Sequence, residues 1–250
     1  MNEGTMDEII SKMIEMRMSN MAGKLRKMEE EDPNLTLKDP IDVLNELISY
    51  EYSCRYSRRI DRAIGKAHFK FPAACLDDSL AEPDRKLDMS LIKALETCRW
   101  IDDKKNLLVH GKSSTGKSYL ACALGICAIQ KSKKVLYSKA STMINELNEC
   151  QFSGNYAGTL RKYTDPDLLI IDDFGLMSLD INKCLHLFEV LDTKEGNSSV
   201  IVVSQLQPKQ WYEMFQNNVY ADACMSRLVH NAYRLEMNGR DMRKDKTPLK

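Results

Sequence analysis

The 250-residue chain has no excess charge of either sign, because 36 Lys and Arg balance 36 Asp and Glu. That excludes a polybasic tail protein or an acidic solvating protein, and it confines any nucleic-acid surface to a local patch. No apolar run reaches the roughly 18 residues of a membrane span, so none is expected. The opening MNEGTMDEII lacks a basic stretch followed by an apolar one; no secretory signal is expected, and a cytoplasmic location is. Eight cysteines are present without a Cys-x-x-Cys pair, several within apolar helical patterns. They read as small, buried, reduced hydrophobes rather than a disulfide framework. Four histidines lack ligand spacing, which argues against a zinc site. No Asn-Lys-x-Asp motif occurs, which argues against a guanine-reading GTPase, and no internal repeat or low-complexity tract is visible. A hydrophobic share of 43 % is enough for a sizeable core in one large or two smaller domains.

The first 75 residues read as all-helical. Met6, Ile10, Met13, Ile14, Met21, Leu25 and Met28 recur at three-to-four spacing, predicting one amphipathic helix over 6–28. Asp39-Pro40 opens a second, with Asp39 as N-cap, whose apolar positions run from Ile41 to Ala67 and which fades near Phe71-Pro72. Residues 73–87 read as a connector, so the expected division is a helical part, 1–75, and a second domain, 76–250. In that domain short apolar runs (107–110, 135–137, 168–171, 200–203, 233–237) alternate with helical patterns (87–101, 117–130, 141–150, 180–192, 209–215 and 220–230). That texture predicts an α/β fold with a five-stranded parallel sheet covered on both faces.

The first of these strands runs into Gly111-Lys112-Ser113-Ser114-Thr115-Gly116-Lys117-Ser118, which fits G-x-x-x-x-G-K-[ST]. A loop that wraps a phosphate must turn its backbone N–H groups inward, and glycine permits the dihedrals required. The helix that follows aims its N-terminal dipole at the same anion. Lys117 is placed to reach the β- and γ-phosphates, and the Ser118 hydroxyl to bind Mg²⁺. Tyr119 adjoins the loop and is counted with the nucleotide-binding residues. The pattern arises by chance in about one chain in a hundred of this length; the strand before it and the helix after it lower that further.

Leu168-Leu169-Ile170-Ile171-Asp172-Asp173 is a buried strand ending in two carboxylates, at the edge where parallel sheets bind ligands. Asp172 is expected at the metal, and Asp173 is expected to orient or deprotonate an attacking water. The strand 200–203 runs into Ser204-Gln205. If it lies between the first and third strands, Ser204 or Gln205 faces the γ-phosphate; otherwise it is a strand ending in polar residues, as most do.

Taken together, 111–125, LLIIDDFG at 168–175, VVSQL at 202–206 and SRLVHNAYR at 226–234 resemble the IstB-like helper ATPases of bacterial insertion sequences. These are members of the AAA+ superfamily, close to DnaC helicase loaders. The resemblance covers most of the chain and is strongest over 97–243. It implies an AAA+ P-loop core with the lid absent or minimal and ATP with Mg²⁺ as cofactors. It places Asp172 at the metal, Asp173 where most AAA+ proteins carry Glu, Gln205 at the sensor position, and Arg227 as the finger supplied to a neighbouring subunit. Arg243 is a candidate for a second sensor. Slow hydrolysis, ATP-dependent homo-oligomeric rings or spirals on duplex DNA, target remodelling and recruitment of the element's transposase are further implications. A loader of the replicative helicase, or a nucleotide-gated DNA scaffold with negligible turnover, are the alternatives.

One surface pattern remains. Residues 55–70 carry Arg55, Arg58, Arg59, Arg62, Lys66 and Lys70 against a single acid, Asp61. Positions 55, 58/59, 62 and 66 share a helical stripe that either tracks DNA phosphates or is a solvated face; the resemblance favours DNA. A second basic run, 240–250, is either a DNA contact or a frayed tail.

Overall fold

The structure, a computed structural model, describes residues 5–32, 34–77 and 87–239. Most of the expected connector and the basic run at 240–250, with Arg243, lie outside the described residues. Two compact units are present, Met1–Arg62 and Ala63–Lys250. Their division falls inside a helix rather than at the connector, because the segment that follows the helix belongs to the larger unit. Ala67, Phe69, Ala74 and Leu76 are all buried there.

In the smaller unit the expected single helix over 6–28 is two, α1 (Met6–Glu15) and α2 (Ser19–Glu31). The chain reverses at Arg17, whose φ is +61°, and the Met18 N–H donates to the Met13 carbonyl at 2.8 Å. Reversal brings the apolar positions of both helices together. Ile10, Met21, Ala22, Leu25 and Met28 form one core with Leu35 and with Leu47 of α3 (Pro40–Ala67). Asp39 caps α3 as expected, accepting the Ile41 N–H at 2.8 Å. The α1–α2 turn is tied to α3 by polar bonds. Glu51 accepts the Met21 N–H at 2.8 Å and the Arg55 Nε–H at 2.7 Å, and Arg55 also donates to the Arg17 carbonyl at 2.6 Å.

After the end of α3 and the segment that follows it, the larger unit continues with α4 (Met89–Glu96) and α5 (Arg99–Asp102). Sequence periodicity merges these into one helix, but Cys98 has a φ of +60° and breaks it. There follow β1 (Asn106–Gly111), α6 (Lys117–Gln130), β2 (Val135–Lys139), α7 (Ala140–Ser153), α8 (Tyr156–Thr164), β3 (Leu168–Phe174), α9 (Ile181–Lys194) and β4 (Ser199–Ser204). A 3₁₀ segment (Pro208–Met214), α10 (Asn218–Val229) and β5 (Ala232–Met237) complete the described unit. Helix α8 has no counterpart in the sequence reading.

Among the described residues the strands form one five-stranded parallel sheet, ordered β2-β3-β4-β1-β5. Apolar residues run continuously along the strands because both faces are covered. Leu108, Leu169, Ile171, Val200 and Val202 pack towards α7, α9 and α10. On the other face Ile170 lies against α6, where a Cβ built on Gly125 would stand 2.9 Å from the Ile170 Cδ1. Strand β4 therefore lies between β1 and β3, as the placement of Ser204-Gln205 required. Within this unit no described helix is long and apolar enough to cross a membrane.

Candidate functional site

The loop between β1 and α6 has the shape that its sequence calls for. Gly111 pairs with Met237 of β5 at a φ of +145°, and a Cβ on it would stand 2.1 Å from the Met237 carbonyl oxygen. No other residue permits both the dihedral and the approach. Gly111→Ala is expected to cost about 3 kcal/mol through strain and overpacking, lowering the melting temperature by about 6–12 °C, as a thermal unfolding scan would register. Ser114 and Gly116 also take positive φ, +61° and +90°. Thr115 closes the turn by donating to the Lys112 carbonyl at 3.0 Å. Lys117 is buried, its Nζ donating to the carbonyls of Gly111 and Lys112 at 2.7 and 2.5 Å. The ammonium is thus held over the cup of the loop, at the N-terminus of α6, with Ser118 half-buried beside it. A tight loop with a buried ammonium at a helix N-terminus fits the polyphosphate of a nucleotide.

Across the sheet edge Asp172 lies near the end of β3 with 1 % of its surface exposed. Its Oδ1 accepts the Asp173 N–H at 2.8 Å. Its Oδ2 accepts the Tyr137 hydroxyl at 2.6 Å, and the Lys70 Nζ stands 3.8 Å from the same oxygen. Burial, with the bond to Asp172, pushes the Tyr137 phenol far above its usual range, so Tyr137 remains a donor. Burial also pushes the Cys122 thiol, one turn beyond Ser118, up to about 11; the Asp172 charge adds to that shift. Ile170 faces α6, and the alternation of side chains along a strand puts Asp172, two residues on, on the same side of the sheet as Ser118's helix. One carboxylate and one hydroxyl suit Mg²⁺, which keeps most of its ligands as water and phosphate oxygen.

Asp173 has a φ of +56°, and the β3–β4 register shifts between Ile171 and Phe174. This bulge turns the second acid to the rim, where its Oδ2 stands 3.6 Å from the Lys139 Nζ. Ser204 and Gln205 part company. The Ser204 hydroxyl donates to the Phe174 carbonyl at 2.7 Å and accepts the Trp211 Nε1–H and the Leu206 N–H, each at 3.0 Å. It joins β3, β4 and the 3₁₀ segment beneath the edge of Trp211, and Gln205 stays exposed. Ser204→Ala is expected to cost about 1–3 kcal/mol, since the buried indole N–H loses its nearer acceptor. Gln205→Ala is expected to leave thermal stability unchanged, so unfolding curves of the pair separate the two positions.

Arg227, near the end of α10, lies elsewhere. The Asn106 side chain at the start of β1 donates to the Arg227 carbonyl at 2.9 Å. The phosphate loop begins at the far end of the same strand, about 17 Å away along it. The guanidinium stands over the Phe188 ring, 4.6 Å from its centroid, with Asp192 at 2.6 Å and Glu195 at 3.3 Å. In the helical unit Arg55, Arg58, Arg59 and Arg62 are exposed, as is Lys66 in the last turn of α3. Arg55 holds the α1–α2 turn and Arg58 donates to the Asn20 side chain at 2.7 Å, whereas Arg62 donates to the Arg58 carbonyl at 3.1 Å and Arg59 stands over the Tyr56 ring, both within α3 itself.

The site therefore gathers Gly111 to Ser118, Asp172 and Asp173, and leaves Arg227 at the opposite edge. Tyr119 lies at the flank of the loop, its ring 5.6 Å from Phe71 and its hydroxyl accepting the Cys75 N–H at 3.1 Å. Sequence reasoning missed Tyr137, Lys139 and the pairing of Lys70 with Asp172. A tyrosine inside a buried strand needs a partner for its hydroxyl, and that signal was present in Val135-Leu136-Tyr137. The pairings of Lys139 and Lys70 depend on strand order and on a chain reversal, which no local pattern encodes.

Known proteins resemble this chain in sequence and in fold. The family described as IstB-like ATP binding protein matches residues 12–249. The insertion-sequence ATP-binding protein y4uH of Sinorhizobium fredii is 32 % identical over 234 residues, covering 94 % of each chain. Its counterpart y4pL, from the same organism, is 36 % identical over 199 residues, covering 80 % of this chain and 81 % of its own. Among solved structures, a DnaC helicase loader superposes with a TM-score of 0.55 at 16 % identity, over 66 % of this chain and 97 % of that one. AMPPCP-bound DnaA from Aquifex aeolicus gives 0.55 at 18 % identity, over 69 % of this chain and 52 % of that one, so the chain spans about half of DnaA. These likenesses show an AAA+ fold. On its matched length, its phosphate loop and its paired strand-end acids, the chain belongs to the family of IstB-like ATP-binding proteins.

Proposed function

We propose that the protein is a Mg²⁺-dependent ATPase that serves the transposition of an insertion sequence by assembling on duplex DNA. The position of Arg227 carries this reading. It is a half-buried guanidinium, stacked on Phe188 and donating twice to one Asp192 oxygen, a strand's length from its own phosphate loop. An arginine so placed serves the nucleotide of a neighbouring subunit, which makes hydrolysis a property of the assembly.

The backbone amides of 111–118 and the Lys117 ammonium hold the phosphates, and Ser118 and Asp172 hold the metal. Magnesium, when bound, supplies neutralisation of the charge that develops on the phosphates. Asp173 orients the attacking water from the rim, and Gln205 reads the γ-phosphate position. Aspartate is one methylene shorter than the glutamate common at the water-orienting position, which supports slow basal turnover. Arg55, Arg58, Arg59, Arg62 and Lys66 contact DNA phosphates, and the transposase of the same element is the protein partner. The names of the insertion-sequence relatives support that partnership.

Electron microscopy of the protein with duplex DNA, with and without ATP, tests the reading. Regular oligomers on DNA that require ATP are the expected result. ATP-independent coating, or no assembly in either condition, would contradict it. Pull-down against transposase and replicative helicase then decides the partner, and capture of the helicase alone would overturn the transposition role.

A further inference from the structure

Lys70 lies outside the motifs that define the site, yet its Nζ stands 3.8 Å from Oδ2 of Asp172, the carboxylate read as the metal ligand. Its backbone is fixed. The last turn of α3 ends at Ala67, and His68 takes a φ of +56°. Phe69 then packs on α6 where Gly125 leaves room; a Cβ there would stand 2.7 Å from the Phe69 ring. Phe71 meets Tyr119, and Cys75 donates to the Tyr119 hydroxyl. Between these anchors Lys70 extends to the Asp172 Oδ2, with its side chain 33 % exposed.

A buried carboxylate is costly without a countercharge. Tyr137 and the Asp173 N–H provide hydrogen bonds to Asp172 but no charge; Lys70 provides the charge. A divalent ion bound at Oδ2 would stand about 2.1 Å from that oxygen. An ammonium 3.8 Å from the same atom would then face a second cation across a small gap. The two cannot both be favourable, and only the lysine has a route out, because its flexible stem opens to solvent.

We infer that Lys70 is a placeholder cation, which neutralises Asp172 while the site is empty and is expelled when the metal–nucleotide complex enters. This rests on the reading of Asp172 as the metal carboxylate. The exchange makes the segment 68–77 sense occupancy. In the empty site Lys70 ties it to β3, and in the filled site that tie is gone while the Phe69 and Tyr119 anchors remain. It also sets the magnesium requirement of binding, since the metal must compete with an ion pair already formed.

The test is a titration of Mg²⁺ at fixed concentration of a fluorescent, non-hydrolysable ATP analogue, on the full chain and on Lys70→Met. The Mg²⁺ concentration for half-maximal binding is expected to fall about five- to tenfold in the variant, as befits loss of a half-buried ion-pair competitor. Lys70→Arg, which keeps the cation, is expected to stay within about twofold of the parent by the same argument. Thermal unfolding gives a second readout: the rise in melting temperature on adding Mg²⁺ and analogue is expected to be larger in Lys70→Met, whose empty state carries an uncompensated carboxylate. Lys70→Gln replaces Lys70→Met if the latter fails to fold. An unchanged magnesium requirement overturns the placeholder role. So does weaker binding at every magnesium concentration, which would make Lys70 a phosphate ligand. A parent that binds no nucleotide overturns the site reading and this inference with it.

Discussion

ATP turnover by an assembly of Arg227→Ala subunits is expected to fall about a thousandfold, with ATP affinity of the single subunit held within a few-fold. The separation follows from placement. Arg227 is at the strand-start edge of the sheet beside Asn106, and the phosphate loop is at the strand-end edge. Removing the guanidinium is therefore expected to leave the subunit's own cup intact and, on the proposed reading, to empty a position in the neighbour's. Arg227→Lys is expected to recover little, because the stacking on Phe188 and the fork held by Asp192 and Glu195 belong to a planar guanidinium. Mixing provides the decisive version. Arg227→Ala subunits bind ATP but offer no finger; Lys117→Ala subunits offer a finger but bind no ATP. Each is inactive alone, and the mixture is expected to regain turnover at junctions where the first receives Arg227 from the second. A mixture as inactive as its components would show that Arg227 does not act between subunits.

The second large effect is that of Lys117→Ala itself. Affinity for ATP is expected to fall about a hundredfold or more, the scale on which a buried charged partner of an anion acts, and ATP-dependent assembly on DNA is expected to vanish with it. Lys117 is buried and its ammonium bridges the carbonyls of Gly111 and Lys112, so it organises the empty loop as well. Loss of stability and loss of binding must be told apart. A melting curve of the variant without nucleotide reports the first, and titration with the ATP analogue reports the second. Lys117→Ala that assembles on DNA as the parent does would remove nucleotide from the assembly step.

Much of this molecule was legible in its sequence, for a physical reason. A parallel sheet covered on both faces writes its strands as bare apolar runs, and Leu168 to Ile171 or Val200 to Val203 can hardly be anything else. The phosphate loop is equally explicit, because its chemistry depends on backbone shape, and Gly111 and Gly116 encode that shape locally. What escaped was decided by contacts distant along the chain. The break at Arg17 turns one amphipathic pattern into two helices, and either arrangement satisfies the same periodicity; only the shared core with Leu47 selects the second. From the strand end alone Ser204 or Gln205 could face the γ-phosphate, and only the resemblance singles out Gln205; Trp211, seven residues on, engages the serine hydroxyl, which no local pattern encodes. The partnership of Asp172 with Tyr137 and Lys70 joins three separate segments, and the bulge that rotates Asp173 towards Lys139 is invisible in the string of residues. The basic stripe shows the converse. Its spacing is as expected, but Arg55 and Arg58 also hold the helical unit together, so their replacement would confound DNA affinity with folding. Arg59, Arg62 and Lys66 are the better positions for a salt-dependence study.

On the proposed reading, the loop ahead of α6 and the Asp172 carboxylate near the end of β3 hold one metal–nucleotide complex between them. Equilibrium titration with a fluorescent ATP analogue, in Mg²⁺ and in excess chelator, on the parent and on Asp172→Asn, tests it most directly. The predicted result is saturable binding by the parent that Mg²⁺ strengthens, and binding by Asp172→Asn from which that magnesium enhancement is lost. No binding by the parent, or an enhancement in Asp172→Asn equal to that of the parent, would contradict it.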